Sequence, residues 1–79
     1  MIDPAYLRFG QMVAIERKKQ KITAEVLAGW CEMDAGSLSR LERGKKGCTL
    51  LMAVKLCTLL GISPDELFET IALGDPKDW

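Results

Sequence analysis

The chain has 79 residues, 48% of them apolar, which suits one small core and argues against a disordered chain. Eleven basic side chains balance eleven acidic ones, so binding nucleic acid by bulk positive charge is excluded; histidine is absent, which excludes Ser-His-Asp catalysis and every histidine metal site. The balance hides an asymmetry: residues 1–55 carry 10 basic and 6 acidic side chains (+4), residues 56–79 carry 1 and 5 (−4), which fits either a solvated surface with a chance bias or a basic face aimed at phosphate.

Five short helices are expected in chain order. Asp3 before Pro4 forms a cap and first-turn pair for a helix from Pro4 to about Lys19 or Gln20. Its apolar residues Leu7, Phe9, Met12, Val13 and Ile15 follow a helical period only roughly. Thr23 caps a second helix, Ala24 to about Trp30, and Asp34 caps a third, Ala35 to Arg43, closed by Gly44. Thr49 caps a fourth, Leu50 to Leu60, closed by Gly61 and expected to bury Leu50 or Leu51, Val54, Leu56 or Cys57, and Leu60. Ser63-Pro64-Asp65-Glu66 reads as a capping box with proline in the first turn, opening a fifth helix to about Leu73 before Gly74. No segment alternates as a strand would.

Cys31, Cys48 and Cys57 lack the spacing of a metal or redox motif, and an odd count argues against a disulfide framework. They are expected as small apolar side chains in a reducing setting. Asp3 and Pro4 stand where a secretory leader would be basic, and the most apolar run, Leu50 to Ile62, falls short of the roughly 20 residues that span a bilayer. A cytoplasmic protein with no membrane partner is therefore expected. Without a metal cluster, a phosphate loop or paired carboxylates, no enzyme, cofactor or small-molecule substrate is expected either.

The second and third helices, joined across Cys31-Glu32-Met33, suggest a helix-turn-helix at about 23–44. Over residues 9–68 the chain resembles the Xre/Cro-type helix-turn-helix regulators. The resemblance runs through Phe9-Gly10-Gln11, Arg17 and Ile22-Thr23-x-Glu25-x-Leu27-Ala28. It continues through Leu38-Ser39-Arg40-Leu41-Glu42-Arg43-Gly44-Lys45 and Leu59-Leu60-Gly61-Ile62-Ser63-Pro64-Asp65-Glu66-Leu67-Phe68. It implies an all-α, five-helix, lambda-repressor-like domain spanning residues 1–79, with its C-terminal helix at about 64–73.

The function the resemblance implies is that of a small homodimeric repressor that reads a palindromic operator in double-stranded DNA with helix 34–43. The matching base-reading positions are Ala35, Gly36, Ser37, Ser39 and Arg40, of which Arg40 alone can fork onto guanine. Arg43, Lys45 and Lys46 follow that helix as phosphate contacts, with Lys21 and Thr23 beside the second helix. Arg17 and Glu42 match the family's structural ion pair. Leu67, Phe68 and Ile71 share a stripe of the last helix; Phe68 and Ile71, with Ile2, Tyr6 and Trp79, are candidates for the dimer contact.

The chain departs from the family's pattern at Ala24, Glu32, Ala35 and Gly36, where the family carries glutamine, glycine or longer polar side chains. These departures support a second expectation from another class, a helix-turn-helix that has lost DNA and captures a transcription factor as an antagonist. Trp30 and Trp79 are then the candidate anchors, since tryptophan is enriched at interface hot spots.

Overall fold

Short polar side chains at the helix starts decide where the elements fall. Thr23, Asp34, Thr49 and Ser63 sit in extended backbone, and each side-chain oxygen accepts the amide three residues on, from Val26, Ser37, Met52 and Glu66. Each such bond satisfies one of the amides that a helix start leaves without a partner. The structure, a computed structural model, describes residues 4–72. Asp3, Ile2, Leu73, Gly74 and Trp79 lie outside the described residues. Five helices follow: α1 Pro4–Lys19, α2 Ala24–Trp30, α3 Ala35–Glu42, α4 Leu50–Leu60 and α5 Pro64–Ile71. Among the described residues there is no strand, so the fold is all-α.

The first four helices close alike. Lys21, Glu32, Gly44 and Gly61 take left-handed backbone, with φ of 57°, 56°, 72° and 73°. The amide after each reaches back across the last turn, from Ile22 to the Arg17 carbonyl, Met33 to Ala28, Lys45 to Arg40 and Ile62 to Cys57. This is the Schellman closure. Glycine takes that conformation freely, whereas Lys21 and Glu32 must hold a Cβ against the next carbonyl. Glu32→Gly is therefore expected to stabilise the fold by about 0.5–1 kcal/mol, raising the melting temperature by a few degrees. An unchanged midpoint would mean that the extra freedom of the unfolded glycine cancels the relief.

α1 is the hub: it packs on α3, α4 and α5, while α2 packs on α3. Phe9 and Val13 of α1 meet Leu27, Leu38, Leu41 and Leu56 in the core. Cys31 and Cys57 are buried there and Cys48 packs against it, all three as free thiols. Burial pushes each thiol up from its ordinary range, so none is an activated nucleophile.

Three expectations are corrected. α3 ends at Glu42, with Arg43 as its cap. α5 ends at Ile71, with Ala72 as its cap, two residues before the expected end, and Arg8 of α1 satisfies its last carbonyls: its Nε donates to Thr70 O at 2.9 Å and its Nη2 to Ile71 O at 2.8 Å. The last carbonyls of a helix have no amide of their own, so this guanidinium supplies the donors they lack. The buried face of α4 is set by Leu56, Cys57 and Leu60, with Met52 and Ala53 partly covered, so Leu50, Leu51 and Val54 point outward at 77%, 81% and 50% exposure. Leu7 and Ile15 of α1 are exposed as well.

Candidate nucleic-acid interface

The turn Cys31-Glu32-Met33 sets α3 across α2, with Leu27, Ala28 and Cys31 packed against Leu38 and Leu41. Small Ala28, 1% exposed, permits that close crossing. The opposite face of α3 is left open: Asp34, Gly36 and Arg40 are exposed and Ser37 and Ser39 are half-buried, while half-buried Ala35 packs at the edge of the core. Asp34 Oδ2 accepts the Ser37 amide at 2.9 Å and Oδ1 accepts the Ser37 hydroxyl at 2.8 Å. Arg40 Nη2 in turn donates to Ser37 Oγ at 3.2 Å. The Ser37 hydroxyl, then its amide and the Arg40 charge, hold the Asp34 carboxyl below the usual carboxylate range. A depressed folded pKa means that this cap acts in full above that range and is lost as pH falls through it.

Behind that face, Arg17 fixes the far end of α3. Its Nε donates to Glu42 Oε2 at 2.8 Å, its Nη2 to Oε1 at 3.0 Å, and its Nη1 to the Ile22 carbonyl at 2.9 Å. The two side chains are 12% and 10% exposed, so the fork is largely sheltered. The bond to Glu42 raises the Arg17 pKa further. One guanidinium thus ties the end of α1, the turn into α2 and the end of α3.

Six basic side chains lie on or beside the chain ends that this pair joins. Arg43, Lys45 and Lys46 follow α3, while Lys18, Lys19 and Lys21 end α1. Arg43 and Lys45 are exposed, Lys46 is half-buried, and Arg43 Nε rests on the Ser39 carbonyl at 3.2 Å. Lys21 is exposed in its left-handed turn, and the Thr23 oxygen is occupied as the α2 cap. Ala24 is half-buried and Glu32 is exposed in the turn. The acidic side chains Asp65, Glu66 and Glu69 are exposed on α5.

Trp30 is half-exposed at the end of α2, Phe68 is 65% exposed on α5, and Ile71 is half-buried. Ile71 lines an open apolar groove of about 330 Å³ with Ala5, Tyr6, Phe9, Leu50 and Ala53. Sequence reasoning missed the part Leu50 plays there, because it assigned α4's first leucines to the core. It also missed Arg8 on the end of α5, and Gln20, whose Nε2 donates to the Leu60 carbonyl at 2.6 Å to close α4. Among the described residues no group of His, Cys, Asp and Glu could hold a metal ion, and no helix is long and apolar enough to cross a membrane.

Comparison with known proteins agrees with this geometry. A family described as a helix-turn-helix domain matches residues 8–69. Control protein C.BamHI of Bacillus amyloliquefaciens is 30% identical over 76 residues, covering 95% of this chain and 94% of its own. The restriction-modification controller protein C.AhdI of Aeromonas hydrophila superimposes with a TM-score of 0.71 at 33% identity, over 80% of this chain and 96% of that one. The clp gene regulator ClgR of Corynebacterium glutamicum superimposes with a TM-score of 0.80 at 25% identity, over 91% and 77%. With five helices in the same arrangement and the match running through nearly all of them, the chain belongs to the Xre/Cro-type helix-turn-helix transcriptional regulators.

Proposed function

We propose that this chain is a DNA-binding transcriptional regulator that acts as a homodimeric repressor on a palindromic operator. The observation that supports it best is the open face of α3, with Arg40 exposed in its last turn. In this reading α3 enters the major groove, Arg40 forks onto a guanine, and Ala35, Gly36, Ser37 and Ser39 lie against neighbouring bases. The small side chains at Ala35 and Gly36 let the helix approach closely. Lys45, Lys46 and Arg43 hold phosphates beyond the end of α3, with Lys21 and Thr23 at the other flank. Similarity to control protein C.BamHI and to the restriction-modification controller protein C.AhdI supports a regulatory role.

Binding to the duplex upstream of the protein's own coding region, against a scrambled duplex at about 50 and 200 mM salt, tests this reading. Specific, steeply salt-dependent binding is expected. Arg40→Ala should lose about 1–3 kcal/mol of it, while Lys46→Ala should weaken both duplexes alike and reduce the salt slope by about one. If the wild type shows no preference, the DNA reading falls. Half-exposed Trp30 beside exposed Val26 then favours the antagonist reading, in which Trp30 anchors a protein partner.

The apolar groove supports the dimer. Leu50, Tyr6 and Ile71 line it or border it, Phe68 stands one turn before Ile71, and Leu51 and Val54 extend the apolar surface along α4. An isologous contact would cover this surface twice. Leu50→Glu should shift sedimentation from dimer to monomer with little change in helix content, because Leu50 lies outside the buried core. A wild type that sediments as a monomer at tens of micromolar would rule out the dimer.

A further inference from the structure

Ser37 stands between a carboxylate and a guanidinium, and that placement assigns it a different task from Arg40. Asp34, Ser37 and Arg40 are spaced by three residues and so share one stripe of α3 and its cap. Ser37 Oγ has one proton, and it points to Asp34 Oδ1 at 2.8 Å. With its proton committed, the oxygen can only accept, and Arg40 Nη2 is the donor it meets at 3.2 Å. Gly36 leaves space beside this chain: a Cβ there would lie 3.1 Å from Asp34 Oδ2 and 3.8 Å from Arg40 Nη1.

We propose that Asp34 and Ser37 are positioning residues that set the Arg40 side chain along α3 so that its outer edge is presented to a guanine. This rests on the DNA reading given above. The Ser37 bond uses one Nη2 hydrogen and leaves the other, with those of Nη1, for guanine O6 and N7. An arginine already held in one rotamer loses less freedom on binding than a free one, so the arrangement raises discrimination without adding a base contact. Ser37 then acts on specificity through Arg40 and makes no hydrogen bond to the base it lies beside.

Three variants separate this role from helix capping. Asp34→Ser keeps a capping oxygen for the Ser37 amide but cannot also hold the Ser37 hydroxyl. Ser37→Ala removes the relay, and Ser37→Thr restores a hydroxyl. The first readout is 15N relaxation of the Arg40 Nε in the DNA-free protein. The Arg40 side chain should be ordered in the wild type and in Ser37→Thr, and disordered in Asp34→Ser and Ser37→Ala. Equal order in all four overturns the proposal whether or not the protein binds DNA.

The second readout is selectivity for the operator over a duplex changed at the guanine that Arg40 requires. Ser37→Ala and Asp34→Ser should each lower it about threefold to tenfold at an unchanged melting temperature, as does losing part of one bidentate contact. In an Arg40→Ala background, Ser37→Ala should cause no further loss. A further loss there would show Ser37 reading a base directly and would overturn the positioning role. A wild type without operator preference, but with Arg40 ordered through Ser37, would instead locate the failure in the DNA reading.

Discussion

Arg17→Ala is expected to remove about 3 kcal/mol of stability, the lower end of what breaking a buried pair costs, because the two side chains keep 12% and 10% of their exposure. An exposed pair would contribute under about 1 kcal/mol, so the size of the loss discriminates between the two situations. The variant strands the Glu42 carboxylate against the core and leaves the Ile22 carbonyl without its donor. A domain of this length has about 4–12 kcal/mol in total, so the loss is a large share. It should lower the melting temperature by roughly 12–24 °C, read by far-UV circular dichroism. Glu42→Ala should cost somewhat less, since Arg17 keeps its bond to Ile22. Arg17→Met with Glu42→Leu should recover much of the loss, because the double change leaves no buried charge. Single variants that unfold within about 1 kcal/mol of the wild type would show that water reaches the pair freely.

That pair shows which parts of the molecule a sequence can and cannot disclose. Helix starts are legible because the cap and the amide it serves lie three residues apart, as Thr23, Asp34, Thr49 and Ser63 show. Gly44 and Gly61 mark helix ends for the same local reason, whereas Lys21 and Glu32 make the same closure without its usual residue. Arg17 and Glu42 are 25 residues apart, and only family resemblance joins them. Arg8 and its carbonyls are 62 and 63 apart, Gln20 and Leu60 are 40 apart, and nothing local marks either bond. The phase of α4 was illegible for another reason: nine of its eleven residues are apolar, so periodicity cannot choose a face. Packing against α1 chose it, and Leu50 and Leu51 came out on the surface. At the candidate interface, sequence pattern placed Arg40 and Ser37 on α3, but not the order of donors and acceptors that runs from Arg40 through Ser37 to Asp34.

Gly10→Ala is expected to cost about 3 kcal/mol, although alanine in a helix interior is ordinarily worth about 0.5–1 kcal/mol more than glycine. Gly10 lies buried where α1 passes the end of α3. A Cβ there would be driven onto the Leu41 carbonyl oxygen and would lie 3.0 Å from the Glu42 carbonyl oxygen. These are backbone atoms, which cannot swing aside as a side chain would, and Glu42 is held in addition by Arg17. Relief therefore requires the end of α3 to move away from α1, which pulls on the same Arg17 fork and shifts the face that carries Arg40. The same substitution at Gly29 supplies the contrast: that glycine is exposed within α2, with nothing within 4 Å of the added atom. Gly29→Ala should stabilise by about 0.5–1 kcal/mol. Urea unfolding of the two variants should thus move the midpoint in opposite directions at similar slope. A stabilised Gly10→Ala would mean that α3 can slide outward at little cost, and the rigid seating of α3 on α1 would have to be abandoned.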